Sequence, residues 1–184
     1  MKSTLRTMTL SLGIIAIAVA ALLAAVNLLT RRPIADAARQ AATAAVADVL
    51  PPFDNDPLAS PVDVGGCTLY RATLDGNPAG TAVRVVTPDG FSGPIAIMVG
   101  FDTAGRLTGY TILEHTETPG LGAKAPQWFC DTTGNRSVIG TDRPLALTKD
   151  GGTVDGITAA TITSRAFIGA INRARQAINQ STDR

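Results

Sequence analysis

Aromatic residues, cysteine and histidine are all scarce in this chain of 184 residues. Aromatics make up 4% of it, so any interior must be built mainly from aliphatic side chains. Two cysteines are too few for a disulfide-rich scaffold or a four-thiolate zinc or iron–sulfur site. One histidine excludes a His-rich metal centre formed by this chain alone. Neither sign of charge dominates: 16 Lys and Arg stand against 15 Asp and Glu, a net charge of +1. That balance argues against a nucleic-acid binder, which would show a basic stripe, and against a charged solvating tail. No GxGxxG fingerprint, Walker lysine or CxxC redox pair is present. What is plentiful is aliphatic: hydrophobic residues reach 45%, which rules out gross disorder.

The apolar residues are concentrated first at the N-terminus. After a short tail over 1–9, Leu10–Leu29 reads LSLGIIAIAVAALLAAVNLL, with no charge. A helix of that length reaches about 30 Å, the thickness of a hydrocarbon core. Lys2 and Arg6 would suit the basic region of a signal peptide, but Thr30-Arg31-Arg32-Pro33 follows where a small-residue cleavage site should be. The stretch reads as one uncleaved membrane anchor. Arg31, Arg32 and Arg39 on its far side lean the positive-inside rule toward a cytoplasmic C-terminal domain.

The remaining residues suffice for one compact domain. Residues 30–66 read as a stalk and linker: good helix formers over Asp36–Leu50, then a segment broken by Pro51, Pro52, Pro57, Pro61, Gly65 and Gly66. Strands are predicted at Cys67–Thr73 and Thr81–Val86 around an Asp75-Gly76-Asn77-Pro78 turn, and at Pro94–Phe101 and Leu107–Leu113 around Thr103–Arg106. A loop over 118–126, a short helix near Gln127–Cys130 and a turn-rich stretch over 131–152 follow. Thr163–Asn179 repeats apolar residues at Phe167, Ala170, Ile171, Ala174 and Ile178, one face of a helix, with Arg165, Arg173 and Arg175 mostly off it. The expected fold class is α+β: an N-terminal transmembrane helix, then one domain, 67–184, with a mainly antiparallel sheet and flanking helices.

Two segments carry candidate chemistry. Asp155-Gly156-Ile157-Thr158-Ala159-Ala160-Thr161-Ile162-Thr163-Ser164 places four hydroxyls just ahead of the last helix. Unpaired N–H groups and a partial positive charge at a helix N-terminus favour a phosphate; the plain alternative is helix capping by Thr163 or Ser164. Glu117-Thr118-Pro119-Gly120-Leu121-Gly122 follows a strand, and Gly120 and Gly122 allow a ligand close to the backbone. A tight surface loop explains it equally well.

Taken together, in this order behind an anchor, the two segments resemble the FMN-binding domain family. Within it they resemble specifically the G subunit of the Rnf electron-transport complex, a sibling of the C subunit of the sodium-translocating NADH:quinone reductase. The family motif of Asp, two variable residues, Ser or Thr, Gly, Ala and Thr is matched by Asp155 to Thr161, and the Glu117–Gly122 loop matches as well.

The resemblance implies that FMN is carried through a phosphoester on Thr161, attached by a flavin transferase that uses FAD and a divalent metal. Thr158, Ala160, Thr163, Ser164 and Asp155 would surround it, with Glu117, Thr118, Gly120, Leu121 and Gly122 nearby. It further implies a single-pass inner-membrane protein with a periplasmic domain, against the charge lean. Its partners would be the other subunits of a complex that couples ferredoxin–NAD chemistry to ion movement. This chain would be an electron relay without a complete active site of its own.

One departure stands out: Ala159 replaces the family's usual Gly. If that position needs positive φ, alanine is strained by about 1 kcal/mol or more. Other residues keep two readings. His115 is a proton-relay candidate or a strand-end histidine paired with Glu114, Glu117 or solvent. Trp128 is a flavin cover or a core or interface residue. Cys67 and Cys130 are a disulfide or two separate thiols. The functional alternatives are the quinone-reductase subunit, a pilin-like structural protein, and an anchored module that binds a phosphate ligand non-covalently.

Overall fold

The computed structural model describes residues 2–182, and these fall into two compact units that divide between Ala41 and Ala42. Helix α1 runs Lys2–Val49, without a break at Pro33. In the first unit its apolar side chains are exposed, among them Leu12, Ile17, Leu22, Leu23 and Leu29. The helix is long and apolar enough to cross a membrane. The anchor and stalk helices expected separately are thus one 48-residue element.

The second unit is built on five antiparallel strands in sequence order: β1 Val62–Val64, β2 Cys67–Leu74, β3 Asn77–Thr87, β4 Ile95–Phe101 and β5 Leu107–Glu114. The α+β expectation holds. Strand β1 lies inside the segment read as linker; it is three residues long and follows Pro61, too short for an alternating pattern to show. The compact unit begins at Ala42, so the helix end and the linker pack with the sheet.

Strand β4 is buried at every position because both faces of the sheet are covered. Ile95, Ile97, Val99 and Phe101 join one core with Phe167, Ala170, Ile171 and Ala174 of the last helix, α3, Thr161–Thr182. On the other face, Ala45, Val46, Val49 and Leu50 pack with Ala72, Ala82 and Met98. Alternation along one strand therefore serves two cores. Arg175 corrects the helical-face reading: it is 7% exposed. Its guanidinium donates to the Gly105 and Thr141 carbonyls at 2.7 and 2.9 Å, and burial lowers its pKa from the ordinary arginine value. Both cysteines are free thiols, Cys67 buried and Cys130 exposed, which settles the disulfide question between them.

Gly100 and Gly109 face each other across β4 and β5. Their missing side chains make room for the end of α1: a Cβ on Gly100 would stand 2.0 Å from the Val49 carbonyl oxygen. That same oxygen accepts from the Thr108 hydroxyl. Gly100→Ala is expected to destabilise the full chain by about 2–3 kcal/mol, the cost of overpacking against rigid backbone. Denaturant unfolding in detergent checks this; an unchanged midpoint would mean the helix end does not dock there.

Candidate functional site

The loop after β5 and the start of α3 meet at a cavity of about 310 Å³. Seven of the predicted residues line it: Glu117, Thr118, Leu121, Gly122, Ala160, Thr161 and Thr163. Phe91, Ala159 and Ile162 complete the lining. Phe91, Leu121 and Ile162 are exposed apolar side chains, 65%, 39% and 51% accessible.

A buried carboxylate joins the walls. Glu117, 5% exposed, accepts from the Ser92 backbone N–H at 3.0 Å and from the Thr163 hydroxyl. It thereby ties the 88–94 loop and α3 to its own loop. Neighbouring bonds lock the arrangement: the Thr116 hydroxyl donates to the Ser92 carbonyl, and the Glu117 N–H donates to His115 Nδ1. His115 is thus engaged with Glu117 at a strand end. Gly122 is required by close approach, since its Cβ would stand 2.5 Å from Glu117 Oε2 and 2.7 Å from Thr163 Oγ1.

Helix α3 begins at Thr161, two residues ahead of the sequence-based boundary, so the candidate hydroxyl sits on its first residue. Thr161 through Thr163 therefore lie among the N-terminal N–H groups that have no partner within a helix. Ser164 is fully buried behind them: its hydroxyl accepts from the Ile157 N–H at 2.9 Å and donates to the Ala160 carbonyl at 2.9 Å. Those bonds fold the 157–160 turn back on the helix, so Ser164 shapes the site without lining it. Thr158 is exposed and does not line the cavity. Asp155 contributes its backbone, whose carbonyl accepts from Trp128 Nε1 at 2.8 Å. Trp128 is therefore an anchor of the motif, with the Arg136 guanidinium 4.0 Å from its ring centre; it does not line the cavity. Gly120, at φ +78°, turns the loop and is also outside the lining.

Ala159 has φ +62°. The motif needs the left-handed conformation at the position where the chain departs from glycine.

Two residues escaped the sequence reading. Phe91 lies in the Gly- and Pro-bounded loop 88–94, where its signal was a large apolar residue outside any strand pattern. Lys149 donates from Nζ to Thr161 Oγ1 at 3.3 Å; twelve residues separate them, and only the tertiary fold brings them together.

A profile of the FMN-binding domain family matches residues 90–176. The G subunit of the ion-translocating oxidoreductase complex of Pseudomonas aeruginosa is 36% identical over 199 aligned positions, covering 100% of this chain and 92% of that protein. Proteins of the same name from Photorhabdus laumondii and Escherichia coli O157:H7 are 35% and 34% identical, over 94% and 95% of this chain. They are covered to 90% and 91% of their own lengths.

Two substitutions test this arrangement. Ala159→Gly relieves a left-handed strain of about 1–2 kcal/mol but loosens the unfolded chain by about 0.4–1 kcal/mol. A net gain of roughly 0.5–1 kcal/mol in unfolding free energy is expected; a loss would mean the turn is unstrained. Glu117→Ala orphans two donors, one of them the buried Thr163 hydroxyl, and is expected to cost about 2–3 kcal/mol. Thermal unfolding within 0.5 kcal/mol of wild type, on the order expected of a neutral surface change, would remove Glu117 from its structural role.

Proposed function

The chain belongs to the family of G subunits of ion-translocating oxidoreductase complexes, and from that membership we propose that it carries FMN covalently, through a phosphoester on Thr161. It is an FMN-binding electron-transfer subunit of such a complex. In the finer reading, the complex is of the Rnf type and couples ferredoxin–NAD chemistry to ion movement. Helix α1 anchors the chain in a bacterial inner membrane with the flavin domain on the periplasmic side. A flavin transferase is the maturation partner.

The observation that carries the covalent reading is the position of Thr161. Its hydroxyl sits on the first residue of a 22-residue helix, on the wall of a cavity whose other side is the Glu117–Gly122 loop. The residues present suit FMN in three respects. A phosphate at Thr161 would face the unpaired N–H groups and partial positive charge of the helix start. The exposed apolar rim of Phe91, Leu121 and Ile162 matches a flat, largely apolar ring. Gly122 holds the backbone where a side chain would collide with Glu117 and Thr163.

When bound, FMN supplies one- and two-electron redox chemistry. The chain's own residues position it. Thr161 fixes one end by a bond that does not dissociate, so the carrier stays at full occupancy through many turnovers. Glu117, through Thr163 and Ser92, keeps both walls at a fixed separation. The rim leaves the cavity open toward solvent, as a relay that must meet redox partners requires.

Intact mass of the full chain purified from its native membrane is expected to exceed the sequence mass by one FMN less one water. Peptide fragmentation is expected to place the addition on Thr161. Thr161→Val, which keeps the branched shape, is expected to lose the adduct completely while retaining the wild-type circular dichroism spectrum. An unmodified wild-type mass, with the transferase present in the same cells, would overturn the covalent reading. It would leave a ligand held non-covalently, which denaturation washes out.

A further inference from the structure

We propose that Lys149 is the cation that pairs with the phosphoryl group on Thr161 and fixes its orientation. This rests on the reading that Thr161 is the attachment residue. Three observations carry it. Lys149 Nζ donates to Thr161 Oγ1 at 3.3 Å, so any phosphorus bonded to that oxygen brings its unbridged oxygens within reach of the same ammonium. The turn that bears Lys149, Thr148–Asp150, is built rather than loose. Thr148 N–H donates to the Val154 carbonyl at 2.8 Å, and Gly152 N–H to the Leu147 carbonyl at 2.9 Å. A Cβ on Gly152 would lie 2.0 Å from the Ala146 oxygen, so that backbone passes where a side chain has no room.

The third observation is a clamp onto α3 itself. Asp150 accepts from Arg165 Nε and from its terminal NH2 group at 2.9 and 2.6 Å, a two-point ion pair. The Arg165 hydrogen bonds, reinforced by the charges of Arg165 and Lys149, hold the Asp150 carboxyl below its ordinary range. Arg165 lies one helical turn beyond Thr161, on neighbouring surface of α3. The pair therefore seats the turn over the first turn of α3 and delivers the adjacent Lys149 to Thr161. Arg165 is held by Asp150 through two hydrogen bonds; Lys149 feels the same carboxylate only at longer range, and its ammonium donates to the neutral Thr161 hydroxyl.

That asymmetry makes sense once the hydroxyl is esterified. An exposed lysine bonded to a neutral hydroxyl contributes little, whereas an ammonium against a phosphodiester forms a charge-assisted bond that adds to the helix N-terminus. The two donors are of different kinds, backbone N–H from α3 and Nζ from the turn. Together they would hold the phosphoryl group from two sides.

The test compares wild type, Lys149→Gln and Lys149→Arg, each as the full chain in detergent, flavin-free and FMN-loaded. Intact mass establishes loading, and the readout is the change in unfolding midpoint that loading produces. Wild type and K149R are expected to gain equally, and K149Q to gain about 2 °C less, the scale of a partly exposed charge pair in a chain of this size. The difference is expected to shrink in 1 M salt, where the screening length is about 3 Å. A K149Q chain that fails to load while K149R loads would also support the assignment. Equal gains in wild type and K149Q, or a deficit untouched by salt, would overturn it. A wild-type chain that acquires no FMN on Thr161 would instead overturn the attachment reading, a distinct result seen before any midpoint is compared.

Discussion

The geometry of the site depends on one buried carboxylate. Glu117 is contributed by the loop after β5, yet its two oxygens accept from Ser92 in the loop before β4 and from Thr163 in α3. A buried charge is costly unless its lone pairs are satisfied. Each of these donors comes from a different segment, so satisfying the charge requires all three to meet. The requirement brings together three segments that line the cavity. It also accounts for Gly122, since a side chain there would occupy the space of the Thr163–Glu117 bond. Polar satisfaction inside the domain and an open apolar rim outside it are two sides of one arrangement.

The sheet supplies the rigidity that this arrangement needs. Helix α3 is held against it along Phe167, Ile171 and Ala174, and Phe167 stacks on Phe129 at 4.5 Å and meets Tyr110 edge-on at 4.7 Å. The Tyr110 hydroxyl in turn points its one proton between the Ala125 and Pro126 carbonyls, at 3.0 and 2.9 Å, just beyond the Glu117–Gly122 loop. Of the eight aromatics, Tyr110, Phe129 and Phe167 meet at the junction between sheet, loop and helix. The N-terminus of α3 is thus fixed in direction, which is what a helix must have if its terminal N–H groups are to address a phosphate.

Much of the fold was legible because its signals are local. Periodicity marks α3 through Phe167, Ala170, Ile171 and Ala174, and turn residues mark the two hairpins. Short β1 was hidden among prolines, and Arg175 was misread because a charged residue seldom sits in a core. Its burial depends on the Gly105 and Thr141 carbonyls, far away in sequence. The site was legible in the same way. Segments Glu117–Gly122 and Asp155–Ser164 were visible as motifs, and they share a cavity. Which side chains face that cavity was not: Trp128 is turned by a bond to Asp155, 27 residues away, and Ser164 by bonds back to the irregular 157–160 turn, which no periodic pattern marks. Lys149 had no local signal at all. Its approach to Thr161 is a product of the Asp150–Arg165 pair across fifteen residues of chain.

The alanine at position 159 shows how such a site tolerates a poor local choice. A left-handed alanine costs about 1–2 kcal/mol, a real share of the 5–15 kcal/mol that typically separates folded from unfolded states. It persists because the turn is over-determined from outside: Ser164 bonds to Ile157 and Ala160, Ala160 N–H donates to the Ile157 carbonyl, and Trp128 holds the Asp155 carbonyl. The strain is therefore stored beside Thr161, and it persists because the surrounding structure over-determines it. Alanine also restricts the turn more than glycine would in any opened state. The departure from glycine exchanges some stability for a stiffer approach to the threonine, and the surrounding hydrogen bonds are what make that exchange sustainable.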